Sequence, residues 1–207
     1  MIIAVQNQKG GVGKTTLAVH ISYVLSLKSK VLLLDSDPQG SARDWAAARN
    51  EQPPFTVIAL DRPTIHRDLP VMATDYDYVV IDGPPRVSEL ARSGIIAADL
   101  IVIPVQPSPY DVWAAQEVLA LIQEASVFKE NLKSVFVINR KIVNTAIGRD
   151  VVTALTDLGI TVAESHICQR VAFAESAGMG QTVLETDPKG QATKEIKALV
   201  KELLSYA

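Results

Sequence analysis

The sequence is short of several things, and each shortage excludes something. One cysteine, Cys168, in 207 residues rules out an internal disulfide framework and suits a reducing cytosol. Beside Ile167 it reads as a small core residue. No apolar run approaches the roughly 18 residues a membrane-crossing helix needs, so no membrane role is expected. No charged leader precedes the first apolar run, so export is not expected either. The charge is nearly balanced, 20 basic against 23 acidic residues for a net of −3, and a nucleic-acid surface would have to be a local patch. There is no repeat, low-complexity linker or domain boundary, so one domain over residues 1–207 is expected. Apolar content of 48% is ample for a sizeable core.

What is present is an alternation of short β-like runs with longer helical stretches. Ile2-Ile3-Ala4-Val5, Val31-Leu32-Leu33-Leu34, Tyr78-Val79-Val80-Ile81, Leu100-Ile101-Val102-Ile103 and Val135-Phe136-Val137-Ile138 are continuously apolar. Strands covered on both faces by helices read this way. Residues 56–60 and 160–163 look like two more strands. Helical periodicity runs through 41–50, 86–97, 109–127, 147–158 and 192–206. The expected fold is α/β: a doubly wound, mostly parallel sheet flanked by helices, with ligands at the C-terminal strand ends.

The turns after the strands hold the chemistry. Between the first strand and a helix-like segment lies Gln8-Lys9-Gly10-Gly11-Val12-Gly13-Lys14-Thr15-Thr16. Glycines at 10, 11 and 13 let successive N–H groups curl around an anion, and the next helix presents its free N–H groups to the same anion. Lys14 is placed to neutralise β- and γ-phosphate oxygens, and the Thr15 hydroxyl to ligate Mg²⁺. Gln8 stands where the usual phosphate-loop pattern has glycine, and Lys9 is an additional lysine in the loop. After the second strand, Asp35 and Asp37 stand two residues apart before Pro38. One suits the metal shell and the other the attacking water. Asp82, before Gly83-Pro84-Pro85, suits Mg²⁺ through its water shell, and those prolines make a stiff segment able to report γ-phosphate. Pro104 to Asp111, rich in proline, reads as a firm loop or a partner-facing surface. Asn139 is placed to read a base edge, with Arg140 beside it as a nucleotide contact or a structural residue.

These motifs resemble the deviant-Walker ATPases of the ParA/MinD class, closest to the small ParA partition proteins. The resemblance covers the whole chain through Lys9 to Thr16, Leu34 to Gly40, Val80 to Pro85 and Ile103 to Val105 with its proline-rich continuation. It implies Mg-ATP as cofactor and a slow hydrolysis to ADP and phosphate. Lys9 is then the hallmark lysine that reaches across an ATP-bound homodimer, Asp37 the water-orienting carboxylate, and Asp35 and Asp82 the metal's residues. Gly10, Gly11, Val12, Gly13, Lys14, Thr15 and Thr16 would hold the nucleotide. Because ADP removes the charge Lys9 would meet, dimerisation would follow the γ-phosphate. A ParB-type centromere-binding partner, non-specific DNA and a cytoplasmic, nucleoid-associated location are further implications.

Candidate DNA contacts are Arg170, Lys189, Lys194, Lys197 and Lys201. The last three share a helix face, although a solvated polar face would look similar and Glu195 and Glu202 lie among them. No helix-turn-helix segment precedes the loop, so operator binding is not expected, and the final helix lacks the aromatic and basic ending of a membrane-surface helix. The leading expectation is a plasmid-partition ATPase, with a relative that positions a carboxysome or chemoreceptor cluster as its nearest competitor. A tyrosine autokinase would want a terminal tyrosine cluster, where only Tyr206 stands. An iron–sulfur reductase would need two cysteines per chain, and an amidoligase or synthetase a substrate pocket that the sequence does not reveal.

Overall fold

The continuous apolar runs become a seven-stranded sheet of order β3-β2-β4-β1-β5-β6-β7. In this computed structural model the described residues are 1–86, 88–143 and 147–206, with side chains left aside at 147–149. The strands are β1 (Ile2–Val5), β2 (Val31–Asp35), β3 (Thr56–Ala59), β4 (Tyr78–Asp82), β5 (Leu100–Val105), β6 (Lys133–Ile138) and β7 (Thr161–Val162). Every pairing between them is parallel, as a chain returning through helices requires. The helices are α1 (Lys14–Ser26), α2 (Ser41–Ala47), α3 (Ile65–Met72), α4 (Glu89–Ala97), α5 (Pro109–Ser126), α6 (Ile147–Thr156), α7 (Val171–Gly178), α8 (Val183–Thr186) and α9 (Gln191–Ser205). Position 87 of the expected 86–97 helix and the terminal residue 207 lie outside the described residues.

Alternation along each strand sends neighbouring side chains to opposite faces, and the core divides accordingly. Ile3, Val5, Leu33, Val80 and Val102 pack with Leu17 and Ile21 of α1 and Ile196, Leu199 and Leu203 of α9. Ala4, Leu32, Leu34, Ile81 and Ile103 pack with Ile65, Leu69, Ile95, Val118 and Leu121 of α3, α4 and α5. Each of the larger side chains, fully buried, contributes about 1.5–3 kcal/mol relative to exposure. Neither face of the central strands is left for water.

The topology also fixes where a ligand goes. From β1 the chain moves to β2 and β3 on one side, returns to β4 beside β1, then continues through β5, β6 and β7 on the other. The reversal opens a crevice at the C-terminal end of β1, the kind of place where doubly wound sheets bind ligands. The glycine-rich loop lies there.

Three helices were not foreseen. α3 carries Pro70 and buries only Ile65 and Leu69, so its apolar signal is thin. α7 buries only Ser176, and α8 is one turn held by a reciprocal cap between Thr182 and Glu185. The helix expected from residue 86 starts instead at Glu89, where the Ser88 side chain accepts from the Ala91 N–H.

Candidate nucleotide site

Beyond Val5 come Gln6, Asn7 and Gln8, and the side chains of the first two fasten the loop to the strands beside it. Gln6 Nε2 donates to the Pro84 carbonyl at 3.1 Å, and Asn7 Nδ2 donates to the Pro104 carbonyl at 2.7 Å. Asn7 Oδ1 also accepts from the Lys9 N–H at 3.0 Å. The Gln8 carbonyl takes the Arg86 N–H at 3.2 Å. Gly83 belongs to the same seam: a Cβ there would stand 1.8 Å from Gln6 Oε1.

The loop's carbonyls continue this pattern. Lys9 O accepts from Lys14 Nζ at 3.2 Å, Gly11 O from Gln106 Nε2 at 3.1 Å and Val12 O from Asn139 Nδ2 at 2.6 Å. By contrast, the backbone N–H groups of Gly10 through Thr16 donate to no acceptor among the described residues. Side chains thus hold the carbonyls while the N–H groups stay available, which is the construction of an anion-binding nest leading into a helix N-terminus. Gly13 sits at φ 94°, and a Cβ on it would come within 2.3 Å of Asn139 Nδ2. Only glycine fits that approach.

On the β2–β4 side the wall is acidic. Parallel register sets Asp35 and Asp82 side by side at their strand ends. Asp82 is fully buried, and neither carboxylate oxygen meets a hydrogen-bond partner by strict geometry. Burial raises its pKa to about 7, with the Thr15 hydroxyl and the Lys14 ammonium pulling the other way. Lys14 is itself lowered by burial, an effect opposed by Asp82 and Asp37. An orphaned buried carboxylate beside a Thr hydroxyl is a donor set suited to a hard divalent cation and its water shell. Asp37 lines the cavity; one oxygen accepts from the Gln39 N–H at 2.9 Å and the other accepts no hydrogen bond.

Asp35 is the more engaged of the two strand-end carboxylates. Its oxygens accept from the Asp37 N–H at 3.2 Å and the Arg43 N–H at 3.0 Å, and the second lies 3.4 Å from Arg43 Nε. A carboxylate so engaged caps α2 and shapes the Asp37 turn. Burial raises its pKa, and the Arg43 donors oppose the rise. Asn139 lines the second cavity at the end of β6. It is buried, and its amide nitrogen holds Val12 O inside the protein.

Arg140 is exposed and borders two cavities that meet at Gly13 and Thr16. The first, of about 770 Å³, is lined by the loop, Asp37, Trp45 and Gln181; the second, of about 800 Å³, by Asn139, Ile167, Phe173 and Ala174. A phosphate chain along the first and an apolar ring system in the second are the shapes the crevice accepts. His20, on the floor of the first cavity, ties α1 to α8. Its Nδ1 meets Thr16 O at 2.6 Å and its Nε2 accepts from the Val183 N–H at 3.1 Å. Burial lowers its pKa to about 4, so the ring is neutral, with its proton on Nδ1.

Lys9 projects from the loop, and its Nζ pairs with the fully buried Asp111 of α5 at 2.5 Å. No sequence signal marked Asp111, Gln106 or the Gln6–Asn7 pair as parts of this site. The usable clue was three amides in succession at the end of an apolar strand. Of the expected DNA contacts, Lys189, Lys194, Lys197 and Lys201 are exposed. Arg170 is paired instead: Glu195 holds its guanidinium on the rim of the second cavity. Among the described residues no helix is long and apolar enough to cross a membrane.

The CobQ/CobB/MinD/ParA nucleotide binding domain matches residues 3–183. The maintenance of carboxysome distribution protein A of Halothiobacillus neapolitanus is 30% identical over 206 residues, covering 98% of this chain and 95% of that protein. The chromosome-partitioning ATPase Soj of Thermus thermophilus is 27% identical, with 98% and 95% covered. Among solved structures, apo McdA of Cyanothece superposes with a TM-score of 0.84 at 19% identity, covering 98% of each chain. A putative plasmid partition protein of Borrelia burgdorferi bound to AMPPNP gives 0.82 at 18% identity, with 100% and 99% covered. The sheet order, the loop and the carboxylates at β2 and β4 together with these matches place the chain in the CobQ/CobB/MinD/ParA nucleotide-binding family, as a P-loop ATPase of the ParA/MinD type.

Proposed function

We propose that this chain is an ATP-switched DNA-segregation ATPase. It binds Mg-ATP, pairs with a second copy across the nucleotides, holds DNA without sequence specificity in that state, and hydrolyses ATP slowly when a ParB-type partner acts on it. The observation that carries this reading is the loop: seven consecutive backbone N–H groups, Gly10 through Thr16, lack acceptors beside an orphaned carboxylate.

The geometry supports one division of labour. Loop N–H groups and Lys14 would hold the β- and γ-phosphates, and Thr15 and Asp82 would hold Mg²⁺. The metal, when bound, neutralises phosphate charge. Asp37 has one carboxylate oxygen without a hydrogen bond at the cavity, where it orients water toward the γ-phosphorus. That attack breaks the bond to the ADP oxygen. Arg140 and Asn139 serve the nucleoside side, Asn139 chiefly by holding the loop. Lys9 completes the charge at the partner's phosphates, and to do so it exchanges the Asp111 carboxylate for a phosphate. Exchange between two anions is what makes its position depend on nucleotide state.

The α9 surface supports the DNA part. Glu195 turns inward to Arg170 and the Cys168 N–H, and Glu202 to the N–H groups of Glu164 and Ser165 and the Tyr206 hydroxyl. The two acids that interrupt the sequence thus leave Lys194, Lys197 and Lys201 as an exposed basic face. The cargo admits a second reading, a protein assembly rather than a plasmid. The similarity to the Halothiobacillus carboxysome-distribution protein favours it.

Replacing Lys194, Lys197 and Lys201 together with Glu should abolish ATP-dependent DNA retention in low salt while leaving ATP binding intact. Since each lost phosphate contact lowers the salt slope by about 1, a titration from low to moderate salt reads the effect. Retention with an unchanged salt slope would remove α9 from the DNA surface.

A further inference from the structure

We propose that Arg86 is a phosphate-contacting residue whose guanidinium closes on the terminal phosphoryl oxygens of the nucleoside triphosphate bound in its own chain. The proposal rests on the reading of the first cavity as an ATP site.

Two non-glycine residues among those described have positive φ, Arg86 at 83° and Arg140 at 54°. Both are arginines, and they follow β4 and β6 on opposite sides of the loop. Left-handed backbone is costly for a residue with a Cβ and persists where surrounding structure imposes it. At Arg86 the imposing contacts are visible. Gly83 N donates to Val5 O at 3.0 Å, Gln6 Nε2 to Pro84 O at 3.1 Å, and Arg86 N to Gln8 O at 3.2 Å. Pro85 lines the cavity, and Arg86, next in the chain, is tied to the phosphate loop through its N–H bond to Gln8 O.

Charge pairing narrows the candidates to the same two arginines, Arg86 on the acidic side and Arg140 on the other. Lys9 is engaged by Asp111 and Arg43 lies beside Asp35, while Lys14 is buried. Arg86 is exposed, and among the described residues no carboxylate pairs with it. It is therefore a cation at the mouth that can meet a phosphate without first leaving a protein anion. It follows Asp82 by four positions, on the acidic side where the triphosphate's end would lie. A guanidinium there offers two parallel donors to phosphoryl oxygens, and charge spreads over those oxygens in the transition state.

The test uses the full chain with Arg86→Gly, Arg86→Ala and Arg86→Lys. Binding of Mg-ATP and Mg-ADP is followed by fluorescent-nucleotide titration, turnover by phosphate release, and stability by thermal melting. Arg86→Gly relieves the backbone while deleting the cation, so it should melt no lower than the parent and still lose about tenfold in ATP affinity and at least tenfold in turnover. ADP affinity should stay within about twofold, Arg86→Ala should behave alike, and Arg86→Lys should retain part of the turnover. Parental ATP affinity and turnover in Arg86→Gly would overturn the proposal and leave a solvated turn residue. Equal losses for ATP and ADP would overturn the terminal-phosphate assignment. If the parent chain itself bound no ATP, the ATP-site reading would fail first, and Arg86 with it.

Discussion

The phosphate loop lies between two walls of opposite chemistry. On the β2–β4 side, strands end in carboxylates: Asp35, Asp37 shortly after it, and Asp82. On the β5–β6 side they lead to amides, Gln106 and Asn139, whose nitrogens hold the carbonyls of Gly11 and Val12. One wall keeps polar groups without partners, Asp82 above all, and the other has its donors occupied. Unsatisfied buried groups are costly unless a ligand completes them, whereas satisfied ones stiffen what they touch. The acidic wall is built for chemistry and the amide wall for shape. Breaking each should give a different kinetic signature.

The largest effect is expected on the acidic side. Asp37→Ala removes the cavity carboxylate but leaves every loop contact in place. Turnover should fall about 10²–10⁴-fold, the usual range for a positioned acid–base group, while ATP affinity stays near the parent's. Single-turnover phosphate release compared with equilibrium nucleotide binding checks this. A parallel loss of affinity would mean that the acidic wall also shapes the loop, and the contrast would collapse.

The amide wall should respond in the opposite sense. Asn139→Ala leaves the buried Val12 carbonyl without its donor, and such a loss costs roughly 1–3 kcal/mol. Loop order and nucleotide affinity should therefore drop about tenfold, for ATP and ADP alike, with turnover at saturating ATP nearly kept. Asn139→Asp sharpens the point, because an ionised carboxylate next to Val12 O repels where the amide donated. It should bind nucleotide more weakly than Asn139→Ala by calorimetric titration. If both variants bind normally and only turnover falls, Asn139 belongs with the chemistry.

The two walls also differ in how far the sequence revealed them. The order of strands and helices was legible because strands buried on both faces are continuously apolar, and Asp35, Asp37 and Asp82 stood out as single acids ending such runs. That prominence did not reveal that the Asp35 oxygens also cap the helix that follows. The amide wall was faint, since a lone Gln or Asn after a strand fits many roles. Gln106 and Asn139 acquire theirs only when residues 95 and 127 positions away fold against them. Lys9 was legible as an unusual loop lysine, but its pairing with Asp111, 102 residues distant, is a property of the fold. Motifs record what is local, while clamps record what comes together.

His20 lies beneath both walls and supplies the smallest effect. Its neutral ring joins Thr16, at the end of the loop, to Val183 of α8. Its pKa is lowered from 6.5 to about 4 by burial, so between these values the unfolded chain binds the proton that the native ring refuses. Stability is then complete above pH 6.5 and declines as pH falls toward about 4. In His20→Gln this decline should be shallower, although the variant is less stable at pH 7 because the buried Val183 N–H loses an acceptor of the right reach. Melting temperature measured from pH 7.5 to 4.5 in both proteins isolates the histidine, since the remaining carboxylates are common to the two. A difference that stays constant over that range would show that His20 titrates normally in the folded chain, and that the joint between loop and α8 admits water.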